Sequence, residues 1–202
     1  MMRHFVFLLV LLWFAGCGET HTNDPLAGDI ERIEVDVNQT KMYATRSVLA
    51  TATAYYTLGV PERNVTEYIE WASSNTTIAD FDDIGIVGGR ESGGNVTIMG
   101  RFDEFEDGKQ IEVIALVSAR ILPPESNLSR EQTLQLKVEG TFADGKVLEV
   151  GEAMSWTLGG TADSNASIDQ NGTLYTGDFN GTLEVNVSRY DVNDSLRLYV
   201  AP

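Results

Sequence analysis

The chain has 202 residues, and its composition is that of a strongly acidic protein. Thirty Asp and Glu residues stand against fourteen Lys and Arg, which gives a formal net charge of −16 at pH 7. This balance excludes the basic surface that nucleic-acid-binding proteins need, and it excludes a polybasic patch for anionic lipids. Because Cys17 is the only cysteine, an intramolecular disulfide is excluded as well.

The first residues have the pattern of a secretory signal peptide. A basic start precedes an apolar run over 5–14, and two small residues then lead to Cys17. The run is too short for a stable membrane-spanning helix. Its order is similar to the lipobox of bacterial lipoproteins, which implies removal of residues 1–16 and attachment of lipid to Cys17. The alternative is an ordinary cleavage site beside a chance cysteine.

From Ile30 onward the dominant period of the apolar residues is two. Residues 17–29 are small, polar and contain Pro and Gly, which predicts a tether. The segment IERIEVDV then places Ile33, Val35 and Val37 on one face, as in a half-buried β-strand. Convincing helical stripes are absent from the sequence, so an all-β fold is predicted.

The strand patterns form two similar copies. Leu49 and Leu134 are 85 residues apart, and so are Trp71 and Trp156. Each leucine begins an alternating strand, and each tryptophan lies in a later one. Short strands with turn signals between them indicate a β-sandwich in which Trp71 and Trp156 are core anchors. The alternative is one larger β-domain with accidental internal similarity.

The segments around the two tryptophans also resemble a known family. WASSNTTIADFDDIGIVGG and WTLGGTADSNASIDQNGTLYTG each combine a Trp, a Ser-containing turn, a short strand and a Gly turn. They are similar to the bacterial Ig-like domain, group 2, as is TFADGKVLEV of the second copy. The resemblance implies two tandem Ig-like β-sandwiches, at 30–118 and 119–202. It also implies a place among the modules of bacterial surface proteins, including adhesins.

Candidate catalytic and cofactor-binding residues are scarce. Once residues 1–16 are removed, the one remaining histidine is His21 in the tether, where a Ser/His/Asp site would lack a rigid scaffold. The sequence has no Cys/His spacing for zinc. The glycine-rich stretch at 88–94 lacks both the lysine and the following helix of a phosphate-binding loop. We therefore predict that the protein is not an enzyme and has no cofactor.

The acidic run ADFDDIG holds the candidate calcium ligands Asp80, Asp82 and Asp83. Carboxylate oxygens at loop tips are suitable ligands for calcium. The run does not fit EF-hand spacing, and acidic loops are more often simply solvated. The sequence therefore predicts no metal site, with these three residues as the candidates if calcium does bind.

Asparagine is the residue type with the sharpest pattern. Ten of the eleven asparagines begin an N-x-S/T triplet, and eight of the ten also have Asp or Glu two residues earlier. Those eight are Asn38, Asn64, Asn127, Asn165, Asn171, Asn180, Asn186 and Asn193. The longer pattern D/E-x-N-x-S/T resembles the acceptor of the bacterial oligosaccharyltransferase. The resemblance implies that an enzyme arginine pairs with the acid while the hydroxyl is hydrogen-bonded.

These eight asparagines are therefore predicted N-glycosylation sites. Asn75 and Asn95 lack the acid and are expected to stay unmodified. Turns are predicted at Asn171, Asn180 and Asn193, and connections between strands at Asn64, Asn127 and Asn165. The alternative is that Asp, Asn, Gly and Thr are simply turn residues. Turn chemistry does not account for Asn186, which lies in a predicted strand.

The expected function is that of a non-enzymatic, lipid-anchored cell-envelope protein, serving as a surface spacer or as an adhesion or binding module. Gly18 follows the cysteine in place of the Asp associated with inner-membrane retention, so the outer membrane is expected. The expected partners are the membrane, through the lipid, and a protein or carbohydrate ligand. The alternative is a periplasm-facing binding or assembly subunit that recognises carbohydrate or protein.

Overall fold

The computed structural model describes residues 28–57, 59–83, 85–90, 92–123, 127–159 and 165–202. Cys17, the predicted signal peptide and most of the tether lie outside the described residues. Within them, strands dominate, and the helical structure is limited to a 3₁₀ turn at Gly151–Ala153. None of the described helical structure has the length and hydropathy of a membrane span. The predicted all-β fold is confirmed.

The first unit of the structure, β1 to β9, consists of two sheets. Its strands are β1 (Ile30–Val37), β2 (Lys41–Tyr43), β3 (Ser47–Tyr56), β4 (Arg63–Asn64), β5 (Glu70–Ser73), β6 (Ala79–Asp83), β7 (Ile86–Gly89), β8 (Gly94–Phe102) and β9 (Phe105–Ile114). One sheet has the order β1-β3-β7-β6, with β4 on β3, and the other has the order β2-β9-β8-β5. These are the two sheets of an Ig-like sandwich, with the tryptophan-bearing strand β5 at one edge.

The second unit, β10 to β19, repeats this arrangement. Its strands are β10 (Leu116–Leu122), β11 (Asn127–Ser129), β12 (Thr133–Gln135), β13 (Lys137–Phe142), β14 (Val147–Glu149), β15 (Ser155–Gly159), β16 (Ser167–Ile168), β17 (Thr173–Tyr175), β18 (Gly181–Arg189) and β19 (Val192–Ala201). The sheet β11-β19-β18-β15 matches β2-β9-β8-β5 strand for strand. In each unit the short second strand is parallel to the last one. The predicted tandem Ig-like sandwiches are therefore present.

The core of each unit is formed by the apolar side chains that alternate along its strands, as predicted. Ile33, Val35 and Val37 are buried in β1, and the intervening residues are exposed. Full burial of such an aliphatic side chain contributes about 1.5–3 kcal/mol. The two predicted anchors differ: Trp156 is 3% exposed, whereas Trp71 is half-buried at the contact between two smaller apolar clusters. Trp156 is thus the more complete core residue.

The hydrogen bonds of the tryptophans are repeated in the two units. Trp71 donates from Nε1 to the Thr66 carbonyl at 3.0 Å, and Trp156 donates from Nε1 to the Gly151 carbonyl at 3.1 Å. In both cases the acceptor lies five residues earlier in the chain. A buried indole N–H needs such a partner, so each unit fixes its tryptophan in the same way.

A glycine turn is also repeated, and it defines the alignment of the copies. Gly85 and Gly172 have φ of +73° and +79°, a region that glycine adopts without strain. The Gly85 carbonyl accepts from the Ala50 N–H at 2.6 Å, and the Gly172 carbonyl accepts from the Leu136 N–H at 2.9 Å. Ala50 therefore corresponds to Leu136, a separation of 86 residues.

The predicted match of Leu49 with Leu134 is consequently one residue out of register. Leu49 is 46% exposed, whereas Leu134 packs against the core of the second unit. The residue equivalent to Leu134 is Val48, which is buried. Because side chains alternate along a strand, a shift of one residue exchanges the buried face for the exposed one.

Two equivalent carboxylates join the sheets of each sandwich. Asp107 in β9 accepts a hydrogen bond from the Val35 N–H at 2.6 Å, and Asp194 in β19 accepts one from the Ile121 N–H at 2.7 Å. Charge-assisted bonds of this kind are among the stronger hydrogen bonds in proteins. The last strand of each unit thus holds the first strand of the opposite sheet.

Candidate functional site

The predicted acceptor asparagines divide between strands and connections. All eight are exposed except Asn186, which is half-buried. Four lie outside strands: Asn38, Asn165, Asn171 and Asn180. The other four lie within strands: Asn64, Asn127, Asn186 and Asn193. The structure therefore differs from the prediction at Asn64, Asn127 and Asn193, because local turn chemistry does not report strand pairing.

The acid before Asn171 has a structural role in its own turn. Asp169 accepts from the Thr173 N–H at 2.8 Å and from the Asn171 N–H at 2.9 Å. The hydrogen bond from the Thr173 N–H is the main reason that the pKa of Asp169 lies below its usual value. The side-chain amide of Asn171 makes no hydrogen bond to any described residue. At this position, the turn alternative explains the acid and leaves the acceptor amide free.

Strand alternation explains the acid before Asn186. In β18, Glu184, Asn186 and Ser188 share the outer face of the sheet, while Val185 and Val187 are buried. Residues two apart in a strand always lie on one face. A polar outer face thus accounts for polar residues at both −2 and +2 from Asn186, whether or not an enzyme binds them.

Several triplets have their hydroxyl engaged within the fold: Thr173 of the Asn171 triplet donates to Gln135 Oε1, and Ser195 of the Asn193 triplet donates to Glu184 Oε1, both at 3.2 Å. The Oδ1 atom of Asn75 accepts from the backbone N–H and the hydroxyl of Thr77, at 3.0 and 2.8 Å. The Oδ1 atom of Asn64 accepts from the Thr66 N–H at 3.0 Å, and the Thr66 hydroxyl accepts from the Ala52 N–H at 3.0 Å. An enzyme that binds these hydroxyls must first open the local structure.

The acidic run of the first unit does not form a described metal site. Asp80 lies 3.9 Å from Arg90 and accepts from the Phe81 N–H at 2.9 Å. The side chains of Asp82 and Asp83 lie outside the described residues. In the part of the chain that the structure describes, no three His, Cys, Asp or Glu residues are grouped as metal ligands.

A cleft of about 540 Å³ lies between the two units. The first unit contributes Thr45 and Arg46, and the second contributes residues 149–153 and Arg189. The lining contains two acids as well as two arginines, which are Glu149, Glu152, Arg46 and Arg189. Because positive and negative side chains are mixed in the lining, the charge of the cleft does not favour anions over cations.

Arg189 bonds to both units. Its guanidinium donates from Nη1 to the Ala153 carbonyl at 2.8 Å and from Nη2 to the Ala44 carbonyl at 3.3 Å. Its Nε–H and the Thr45 hydroxyl are buried without a hydrogen-bond partner among the described residues. The bond to the Ala153 carbonyl lies within the second unit, and the bond to the Ala44 carbonyl crosses to the first unit.

An aromatic contact forms another part of the junction. The Tyr43 ring of β2 meets the Phe142 ring edge-to-face, with centroids 4.6 Å apart, and its hydroxyl donates to Asp144 Oδ2 at 3.2 Å. Asp144 also accepts from the Lys146 N–H at 3.0 Å, and this bond is the main cause of its lowered pKa. The turn within TFADGK is thus the surface that receives Tyr43.

Known proteins offer limited comparisons. No family model matches the chain. The chain is 27% identical over 137 residues to ice-binding protein 1 of Shewanella frigidimarina, a match that covers 67% of this chain. Domains 4 and 5 of the S-layer protein SbsC have a TM-score of 0.37 at 13% identity, covering 87% of this chain and 100% of that one. The Escherichia coli adhesin FdeC has a TM-score of 0.33 at 18% identity, covering 84% and 64%. The chain spans about 15% of the length of its Shewanella relative.

Proposed function

We propose that the protein is a non-enzymatic module of the bacterial cell surface, anchored by lipid at Cys17, that acts as a spacer or as an adhesion or binding protein. The observation that carries the proposal is a lipobox-like start and a polar tether followed by two Ig-like sandwiches. The similarity to part of a bacterial ice-binding protein supports a binding module in general terms. The proposed location is the outer membrane.

Protease treatment of intact cells tests the surface location. Loss of the protein from intact cells supports display at the surface. Protection in intact cells, with digestion after the outer membrane is permeabilised, supports the alternative of a periplasm-facing binding or assembly subunit. A periplasmic protein that stays intact under the same treatment is the control for membrane integrity.

The two units are separately folding domains in this proposal. The strand pairing changes at Ala115, between β9 and β10, close to the boundary expected at residue 118. Each unit has buried apolar clusters and a repeated set of tryptophan, glycine and aspartate hydrogen bonds. Internal cores of this kind are what independent domains require.

N-glycosylation is the proposed modification of all eight D/E-x-N-x-S/T asparagines, with Asn171 and Asn180 as the best acceptors. Both are exposed and lie outside strands, and Asn180 is the better of the two because the Thr173 hydroxyl of the Asn171 triplet donates to Gln135 Oε1 at 3.2 Å. Asn186 and Asn193 are expected to have lower occupancy, because a strand within a sheet ladder resists bending into an enzyme groove. Glycopeptide mapping of protein from the native host measures the occupancy of each site.

A pair of variants separates the enzyme's requirement for an acid from the role of Asp169 in its turn. Asp169→Asn keeps an oxygen that accepts from the Thr173 N–H but removes the charge. If the enzyme reads the charge, the Asn171 glycan disappears while Asn180 stays occupied. A glycan that survives in Asp169→Asn means that the acid only forms the turn. Absence of glycan from every asparagine rejects the modification as a whole.

A further inference from the structure

The chain passes from the first unit to the second with almost no linker. β9 ends at Ile114 and β10 begins at Leu116, so Ala115 is the one residue between them. The Ala115 carbonyl accepts from the Ala143 N–H at 3.0 Å, and Ile114 is buried in the core cluster of the second unit. Flexible linkers are longer and rich in exposed Gly, Ser or Pro. The covalent connection is therefore part of the packed structure.

Two side-chain contacts accompany this connection, and they come from different segments of the second unit. The turn after β13 receives the Tyr43 ring and hydroxyl through Phe142 and Asp144. The end of β18 contributes Arg189, which bonds to the Ala44 carbonyl of the first unit. The two units could rotate about a single contact. Contacts from separate segments restrict both bending and twisting of one unit relative to the other.

The geometry points to a rigid pair of sandwiches in which Arg189 is the clamp that fixes the angle between them. The planar guanidinium reaches the Ala44 and Ala153 carbonyls at once, which a lysine ammonium on a flexible stem does not reproduce. This inference goes beyond the proposed spacer or binding function, since neither requires a fixed angle. It also does not depend on lipid attachment. Its consequence is that the second unit is presented in one direction relative to the first.

Distances between spin labels on the two units test this rigidity. Gln110→Cys in β9 and Thr182→Cys in β18 are exposed labelling positions, introduced into the full chain with Cys17→Ser in detergent. The parent chain is expected to give a single narrow distance distribution. Arg189→Ala is expected to give a roughly twofold broader distribution, because domains with a released interface move relative to each other by default. Arg197→Ala is the matched control.

The control removes an arginine that plays no part in the junction. Arg197 lies on the outer face of β19, with its side chain 76% exposed and 4.0 Å from Glu184, so its removal should leave the distribution narrow. A broad distribution in the parent chain, or an unchanged width in a folded Arg189→Ala chain, would overturn the inference. If Arg189→Ala does not fold by circular dichroism, Arg189→Lys decides: broadening supports the clamp, and a narrow distribution overturns it.

Discussion

Removal of the Trp156 side chain should destabilise the second unit strongly. The indole is 3% exposed, and its ring fills the space beside Gly172, where a Cβ atom would lie 2.7 Å from Cζ2. Trp156→Ala creates a cavity at this point and removes the indole hydrogen bond to the Gly151 carbonyl, which still accepts from the Met154 N–H at 3.2 Å. Such truncations cost about 3–5 kcal/mol. Since whole domains are stable by only about 5–15 kcal/mol, the loss is a large share of the total.

Calorimetry and tryptophan fluorescence together show which of the two units loses stability. For a domain of this size, about 3–5 kcal/mol lowers the Tm by roughly 12–40 °C. In the mature chain, Trp71 is the tryptophan that remains in Trp156→Ala, so its fluorescence reports on the first unit alone. The calorimetric transition of the second unit should move while the Trp71 fluorescence midpoint stays close to its original value. Trp71→Ala should cost less, because that side chain is half-buried.

A matched variant separates the ring from its hydrogen bond. Trp156→Phe keeps much of the apolar volume but removes the N–H, and the net contribution of one such hydrogen bond is about 0.5–1.5 kcal/mol. Its loss should therefore be smaller than that of Trp156→Ala. Equal movement of both transitions in Trp156→Ala would refute separate domains. A loss below about 1 kcal/mol would refute the role of Trp156 as a core anchor.

Three further predictions concern the anchor and the turn beside Trp156. Cys17→Ala should block lipid attachment and move the protein out of the membrane fraction, since stable anchoring needs more than one acyl chain; persistence after a high-salt wash would contradict the lipoprotein assignment. Gly172→Ala should unfold the second unit at a lower urea concentration, because its φ is +79° and the added Cβ would lie 2.7 Å from the indole; an unchanged midpoint would contradict that geometry. The pKa of Asp169 is lowered in the folded state, so its contribution is present above the unfolded value of about 3.9 and is lost as the pH falls through the folded value. The protection factor of the Thr173 amide, which is the exchange rate of the unfolded chain divided by the observed rate, should accordingly fall in acid, and Asp169→Asn should remove this step in the pH profile.

The sequence predicts the fold class because burial imposes a visible period. Ile33, Val35 and Val37 alternate and are buried, and each tryptophan lies in the strand expected for it. The register between the two copies of the repeat is harder to predict from the sequence. Leu49 has the residue type of a core position, yet its exposure follows from which face of β3 meets the opposite sheet. That choice depends on strand pairing, which a leucine-to-leucine match does not contain.

The candidate sites follow the same rule. Features set by neighbouring residues can be predicted from the sequence, whereas features set by strand pairing or by contacts between the units cannot. The turn at Asp169 is built within five residues and is legible in the sequence. The placement of Asn193 in β19 depends on pairing with β18 and was mispredicted. The contact of Arg189 with Ala44 joins positions 145 residues apart, and nothing in the local sequence distinguishes this arginine from the others.

The carboxylates of Asp107 and Asp194 also affect how neighbouring molecules of this protein associate through their sheet edges. β1 and β10 are edge strands, and the backbone N–H groups of Val35 and Ile121 would otherwise be free to pair with a foreign strand. Each carboxylate occupies one such donor from within its own sandwich. Neighbouring molecules therefore meet an edge at which one donor is already occupied, which disfavours their fusion into a continuous sheet at high local density.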